Sequence, residues 1–166
     1  MNNQERLKEV RALLKGGAYK DALHELNVLV AEREEAAVGK VSHPEAVYNA
    51  TRKYAAARQE HILVLSLSGD NTIEKVHVCS KGIANRAMAH PREIFRNAIM
   101  DNALAVVLVH NHPSGNIIPS SDDIEMTKGM VAAGKILGIP VLDHVIISAF
   151  TYHSMMEYAE TAKLFN

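Results

Sequence analysis

Residues 103–123 read ALAVVLVHNHPSGNIIPSSDD, and this stretch decides the fold. Ala103–Val109 is apolar at every position, so both faces of a strand there need covering, as in the middle of a sheet layered with helices. The run stops at His110. Pro113, Gly115 and Pro119 then make a loop, and Ser120 opens an amphipathic segment to about Leu137, stopped by Gly138 and Pro140. VLDHVIIS (residues 141–148) is a second apolar strand. A strand, a helix and another strand in series predict an α/β or α+β domain around one mixed sheet.

The flanking sequence extends that sheet. HILVLSLS (61–68) and TIEKVHV (72–78) are dense in β-formers and enclose the turn Ser68-Gly69-Asp70-Asn71, which predicts a hairpin. Ser42 and Glu45 have capping-box spacing, with Pro44 tolerated in a first turn, so a helix is expected to about Arg58. Pro91 opens another helix to about Asn102, and Ser154–Phe165 reads as a closing helix. Upstream, Arg6–Lys15 and Ala18–Glu35 carry apolar residues at helical spacing on either side of Gly16-Gly17, the pattern of an αα-hairpin. Residues 1–40 are therefore expected to form an N-terminal helical hairpin, and residues 41–166 the main domain.

Composition narrows the function classes. The chain has 166 residues, a formal net charge of −1, nine histidines and one cysteine. Near-neutral charge gives no general attraction to nucleic acid or to an anionic membrane. The lone Cys79 excludes an internal disulfide and a cysteine-rich zinc finger. No stretch has the length of a spanning helix, and the charged N-terminus lacks the apolar core of a signal peptide. A cytoplasmic location is the expectation.

Chemistry concentrates where the central strand gives out. His110 and His112 are alternate residues, so extended backbone points both imidazoles to one side. Asp123 follows in the first turn of the next helix. Two imidazoles and a carboxylate suit zinc and leave a fourth position for water. Spacing alone leaves this open, because Ser120 with Asp123 also fits a plain helix cap.

His-x-His, seven intervening residues, Ser, two more and Asp together resemble the JAMM (MPN-plus) metallopeptidase motif, filled by His110, His112, Ser120 and Asp123. The fuller HNHPSG, with PRE at Pro91–Glu93 and LDH at Leu142–His144, looks like the RadC branch of that superfamily. The similarity runs from about Val41 to Tyr158. It implies a JAB/MPN-like sheet with cytidine-deaminase-like layering, and one zinc per chain on His110, His112 and Asp123. It also implies a catalytic glutamate at the start of the first core strand, where Glu60 stands, with Ser120 as oxyanion stabiliser. Glu74, Glu93 and Glu125 are the competing glutamates.

The activity so implied is zinc-dependent hydrolysis of a peptide or isopeptide bond, with a peptide or protein as partner. Only ten residues separate His112 from Asp123, and the JAMM deubiquitinases grip ubiquitin partly through insertions, so ubiquitin specificity is not implied. The alternative is a DNA-repair-associated or DNA-binding module. RadC members typically carry a helix-hairpin-helix DNA-binding region before this domain, and residues 1–40 read instead as an amphipathic pair. A catalytically silent interaction domain is a third class, but such relatives have lost the ligands kept here. Asp143 and His144 are read either as support behind the metal or as a structural pair. Ser114 lacks a nucleophile elbow, and Cys79 reads as a packed thiol. Lys75, Lys81, Arg86, Arg92 and Arg96, with His77 and His90, form either an anion-binding surface or a solvated face. Oligomeric state is not legible.

Overall fold

The computed structural model describes residues 3–19, 21–22, 39–82 and 89–166. The chain divides into two compact units, Met1–Ala37 and Val38–Asn166. In the first, α1 spans Asn3–Lys15 and ends before Gly17, whose φ of 78° suits a residue without a Cβ. Of the second helix expected over Ala18–Glu35, the opening turn is seen, with Ala22 N–H donating to Ala18 O. The rest lies outside the described residues.

The second unit is built on a five-stranded sheet with strand order β2-β1-β3-β4-β5. The strands are β1 (Glu60–Leu67), β2 (Ile73–Gly82), β3 (Ala105–Asn111), β4 (Val141–Ile147) and β5 (Tyr152–Ser154). The central pair β3 and β4 is parallel, and every other pairing is antiparallel. The sheet is therefore mixed. All seven residues of β3 are buried, as its two-sided apolar run requires.

Helices cover both faces. Alternation along β1 and β3 sends Leu63, Leu65, Val107 and Val109 to one face, where Val47, Tyr48 and Ala55 of α2 (Pro44–Ala55) cover them. Ile62, Val64, Val106 and Leu108 go to the other face, under Ile94 and Phe95 of α3 (Pro91–Met100) and Met126 and Met130 of α4 (Ser121–Leu137). Each fully buried side chain of this size contributes about 1.5–3 kcal/mol. The chain leaving α4 folds back tightly against the helix because residue 134 is glycine. A Cβ there would lie 2.5 Å from Ile139 O. Gly138, at φ 70°, supplies the left-handed C-cap.

Two expectations are corrected. Ser42 does not cap α2; His43 does, and its Nδ1 accepts the Glu45 N–H at 3.3 Å. Pro44 occupies the first helical turn and holds its predecessor in extended geometry, so the cap falls on the residue just before the proline. The closing helix over Ser154–Phe165 is also not formed. Tyr152–Ser154 pairs with the open edge of β4, and Asp143 binds the Ser154 hydroxyl and the Met156 N–H, fixing a turn. Helix is confined to α5 (Ala159–Ala162) and a 3₁₀ turn at Lys163–Phe165. Among the described residues no helix is long and apolar enough to cross a membrane.

At the end of α3 a buried carboxylate ties three elements together. Asp101 accepts from Ser66 Oγ on β1 at 2.7 Å, Lys75 Nζ on β2 at 2.8 Å and His77 Nε2 at 2.5 Å. Burial alone would raise its pKa, but the bonds from Lys75, Ser66 and His77 outweigh that and hold it at about 2. The folded value lies below the ordinary one, so this stability is complete above about pH 4 and lost as pH falls toward 2. Asp101→Asn should cost about 2 kcal/mol at pH 7, the scale of hydrogen bonds to a charged group. The gap between the two proteins in urea unfolding should narrow at pH 3. A gap unchanged between pH 7 and pH 3 would remove Asp101 as an electrostatic tie.

Candidate metal centre

The site forms where β3 ends against the start of α4. Strand geometry carries His110 to the α4 face, and His112 N–H donates to Ile147 O at 3.0 Å, so the second histidine is held against the end of β4. Asp123 sits one turn into α4. Ser120 is the N-cap: its Oγ accepts the Asp123 N–H at 3.1 Å, and Asp123 Oδ2 accepts the Ser120 N–H at 2.8 Å. The cap read from the sequence and the metal reading are thus compatible, because the cap aims the carboxylate back at the strand end.

One ligand atom from each of His110, His112 and Asp123 lies within 4.8 Å of the others, the single such cluster among the described residues. His110 Nδ1 is 2.8 Å from Asp123 Oδ1, and His112 Nε2 is 3.5 Å from Asp123 Oδ2. The two rings meet edge to face with centroids 4.7 Å apart. His112 Nδ1 donates to Asn116 O at 2.5 Å, which turns the Nε2 lone pair toward the cluster when the ring is neutral. Burial would raise the Asp123 carboxyl, but bonds from His110, His112 and Ser120 hold it well below the usual carboxylate range. The bond to Asp123 raises the His112 pKa against the effect of burial. Two imidazoles and a carboxylate gathered at one point are compatible with a metal site of mixed nitrogen and oxygen donors.

Glu60 opens β1 on the same face, with Oε2 3.8 Å from His110 Nε2. The competing glutamates are engaged elsewhere or exposed. Glu93 caps α3 by accepting the His90 N–H, Glu125 pairs with Lys128, and Glu74 is exposed on β2. Asp143 faces away from the cluster and accepts from His144 N, Met156 N and Ser154 Oγ. His144 is fully buried, its ring 6.4 Å from that of His110. Burial lowers its pKa to about 3, so it is neutral. Its Nδ1 meets Thr127 Oγ1 at 2.7 Å, and that hydroxyl donates to Asp123 O at 2.6 Å. Of the expected pair, His144 stands behind the ligands and Asp143 organises the turn after β4.

Ser114 Oγ accepts from Asn116 N–H within the loop. Cys79 is half-buried, and burial pushes its thiol pKa up. Of the basic residues read as either an anion-binding surface or a solvated face, Lys75 and His77 are paired with Asp101, and Arg86 lies outside the described residues. Asn111 and Thr127 were not singled out from the sequence. The available signal for Asn111 was an amide at a strand position that alternation assigns to the core.

A family described as "RadC-like JAB domain" matches residues 41–161. Three relatives bear the name UPF0758 protein. The one from Methanococcoides burtonii is 46% identical over 105 residues, covering 63% of this chain and 46% of its own length. That from Methanosarcina barkeri is 42% identical over 119 residues, 71% of this chain and 52% of its own. That from Geobacter sulfurreducens is 40% identical over 134 residues, 80% and 58% respectively. The chain spans about half the length of the relatives it matches, and their names state no activity.

Proposed function

The chain belongs to the RadC-like JAB domain family, and from that premise we propose that it is a zinc-dependent hydrolase of peptide or isopeptide bonds. The observation that carries this is the convergence of His110, His112 and Asp123, three ligand atoms within 4.8 Å of one another, with the Glu60 carboxylate at their edge. These residues would hold the ion. Bound there, zinc would supply a Lewis acid and make water easier to deprotonate near neutral pH.

The protein's own groups account for the remaining requirements. Glu60, exposed enough to meet substrate, takes a proton from water at its carboxylate and returns it to the leaving amine. Ser120 offers a hydroxyl fixed by its position as N-cap, suited to donate to the carbonyl oxygen as negative charge develops. That hydroxyl has one proton, which here goes to Asp123 Oδ2 at 2.5 Å. Donation to substrate therefore requires this bond to break, and engagement of Asp123 with a cation is what would weaken it. Asp123 provides a ligand and His112 the oriented Nε2, its ring held by Asn116 O of the Pro113–Pro119 loop.

The test is a mixed-sequence peptide library read by mass spectrometry. Cleavage is expected from the zinc-loaded chain, should vanish on chelation, and should return with zinc but not magnesium. Cleavage indifferent to chelation would overturn the proposal, as would a purified chain with no affinity for zinc.

A further inference from the structure

The residue between the two histidines faces the other way. Asn111 is completely buried on the α2 side of the sheet, while His110 and His112 project toward α4. Its carboxamide makes three hydrogen bonds, all to the segment that leads into β1. Asn111 Oδ1 accepts the His61 N–H at 2.6 Å, and Nδ2 donates to Gln59 O at 3.1 Å and Ala57 O at 3.4 Å.

These bonds matter because of where strand pairing stops. β1 and β3 are paired from Leu67↔Ala105 to Ile62↔His110 and no further. The first two residues of β1, Glu60 and His61, have backbone partners on β2 alone, at Gly82 and Lys81. Without Asn111, the N–H of His61 that points toward β3 would be buried and unpaired, a cost of about 1–3 kcal/mol. The carbonyl of Ala57 would lose its Asn111 donor too, and that of Gln59 would keep only the His61 ring. The side-chain amide therefore continues the contact between β1 and β3 past Ile62↔His110, where the main-chain pairing of the two strands ends.

We propose that Asn111 is a positioning residue for Glu60: its buried carboxamide replaces the missing β1–β3 pairing and so fixes the Glu60 carboxylate beside His110. This rests on the reading of Glu60 as the proton-transfer group. It gives the HNH tripeptide two jobs on opposite faces of one strand. The histidines hold the ion in front, and the asparagine holds the base's backbone from behind. A displacement of about 1 Å at a reacting group is enough to cost on the order of 10²-fold in rate, so a misplaced strand start is a catalytic defect even with all ligands intact.

The experiment compares wild type, Asn111→Ala and Asn111→Thr, each as the whole 166-residue chain and zinc-loaded, by amide hydrogen exchange. Thr keeps the bulk and β-preference of the site while losing the three-way bonding, and serves if the Ala variant does not fold. The His61 amide should exchange roughly tenfold faster or more once its acceptor is gone, with Leu65 in mid-strand unchanged and zinc content equal to wild type. On any peptide the wild type cleaves, kcat should fall with KM unchanged, and Asn111→Ala should add nothing in a Glu60→Gln background. An unaltered His61 amide overturns the inference. So does loss of zinc in step with the mutation, which would make Asn111 a prop for the ligands, or full additivity with Glu60→Gln. A wild-type chain that binds no zinc sinks the hydrolase reading instead. Faster His61 exchange with undiminished cleavage sinks this inference alone.

Discussion

His112→Ala is expected to strip the chain of tightly held zinc, leaving close to none after dialysis where the wild type keeps about one ion. Of the three proposed ligands, His112 has the ring oriented by a bond outside the cluster: its Nδ1 donates to Asn116 O, which leaves Nε2 facing the cluster. Removing it leaves one imidazole and one carboxylate, which already bind each other at 2.8 Å and gain less by admitting an ion. Outer-shell changes around a metal typically cost about 10–100-fold in affinity, and loss of a ligand should exceed that. The fold should survive, since His112 lies at the strand's end and its backbone bond to Ile147 O is unaffected by the side chain. The wild type should melt at higher temperature with added zinc, by mass action on the folded state, and the variant should not. Equal metal content in the two proteins, or an equal zinc-induced shift in melting, would sink the assignment. The same pair answers whether Glu60 is a fourth ligand, because a Glu60-supported site would retain measurable affinity without His112.

Much of this arrangement was legible in the sequence, for identifiable reasons. A strand apolar on both faces has one home, the middle of a covered sheet, so the central place of β3 followed from residues 103–109, whereas its neighbours did not. The i, i+2 histidines were readable because strand period puts them on one side. Asp123 as a candidate ligand rests on the motif resemblance, because its spacing from Ser120 fits a plain helix cap equally well; in the structure it makes the cap and meets both imidazoles. What failed was the placing of helix starts, for a distant reason at Ser154 and a near one at Ser42. Ser154 looked like a helix start, yet its hydroxyl is bound to Asp143 and its backbone is paired to β4, neither of which a local window contains. The Ser42 cap failed by one residue because Pro44 sets where the helix begins. Asn111 was passed over as the spacer of a motif. Its function depends on three backbone groups some fifty residues upstream, and only the end of the β1–β3 ladder explains why an amide is buried there.

Glu60→Gln is the change that separates holding a metal from using it. Glutamine keeps the length and the hydrogen-bonding capacity of the side chain but has no group that can take a proton from water. The Glu60 carboxylate approaches His110 at 3.8 Å, beyond a hydrogen bond, whereas Asp123 lies at 2.8 Å from the same ring. Zinc content should therefore stay near the wild-type value. Cleavage of a peptide found in the library screen should fall by roughly 10²–10⁴-fold, the usual contribution of a positioned acid–base group. Ser120→Ala provides the contrast. It should lower activity by about 10²-fold for a lost oxyanion donor, and also destabilise the chain by about 1 kcal/mol, since the same oxygen caps α4 through the Asp123 N–H. The two variants thus fail differently, one in rate alone and the other in rate and melting temperature. If Glu60→Gln remains active while Glu74→Gln does not, the base lies on β2 and the assignment along β1 is wrong although the metal centre stands. If Glu60→Gln sheds its zinc, the carboxylate is an anchor for the ion, and proton transfer has to be assigned to another group.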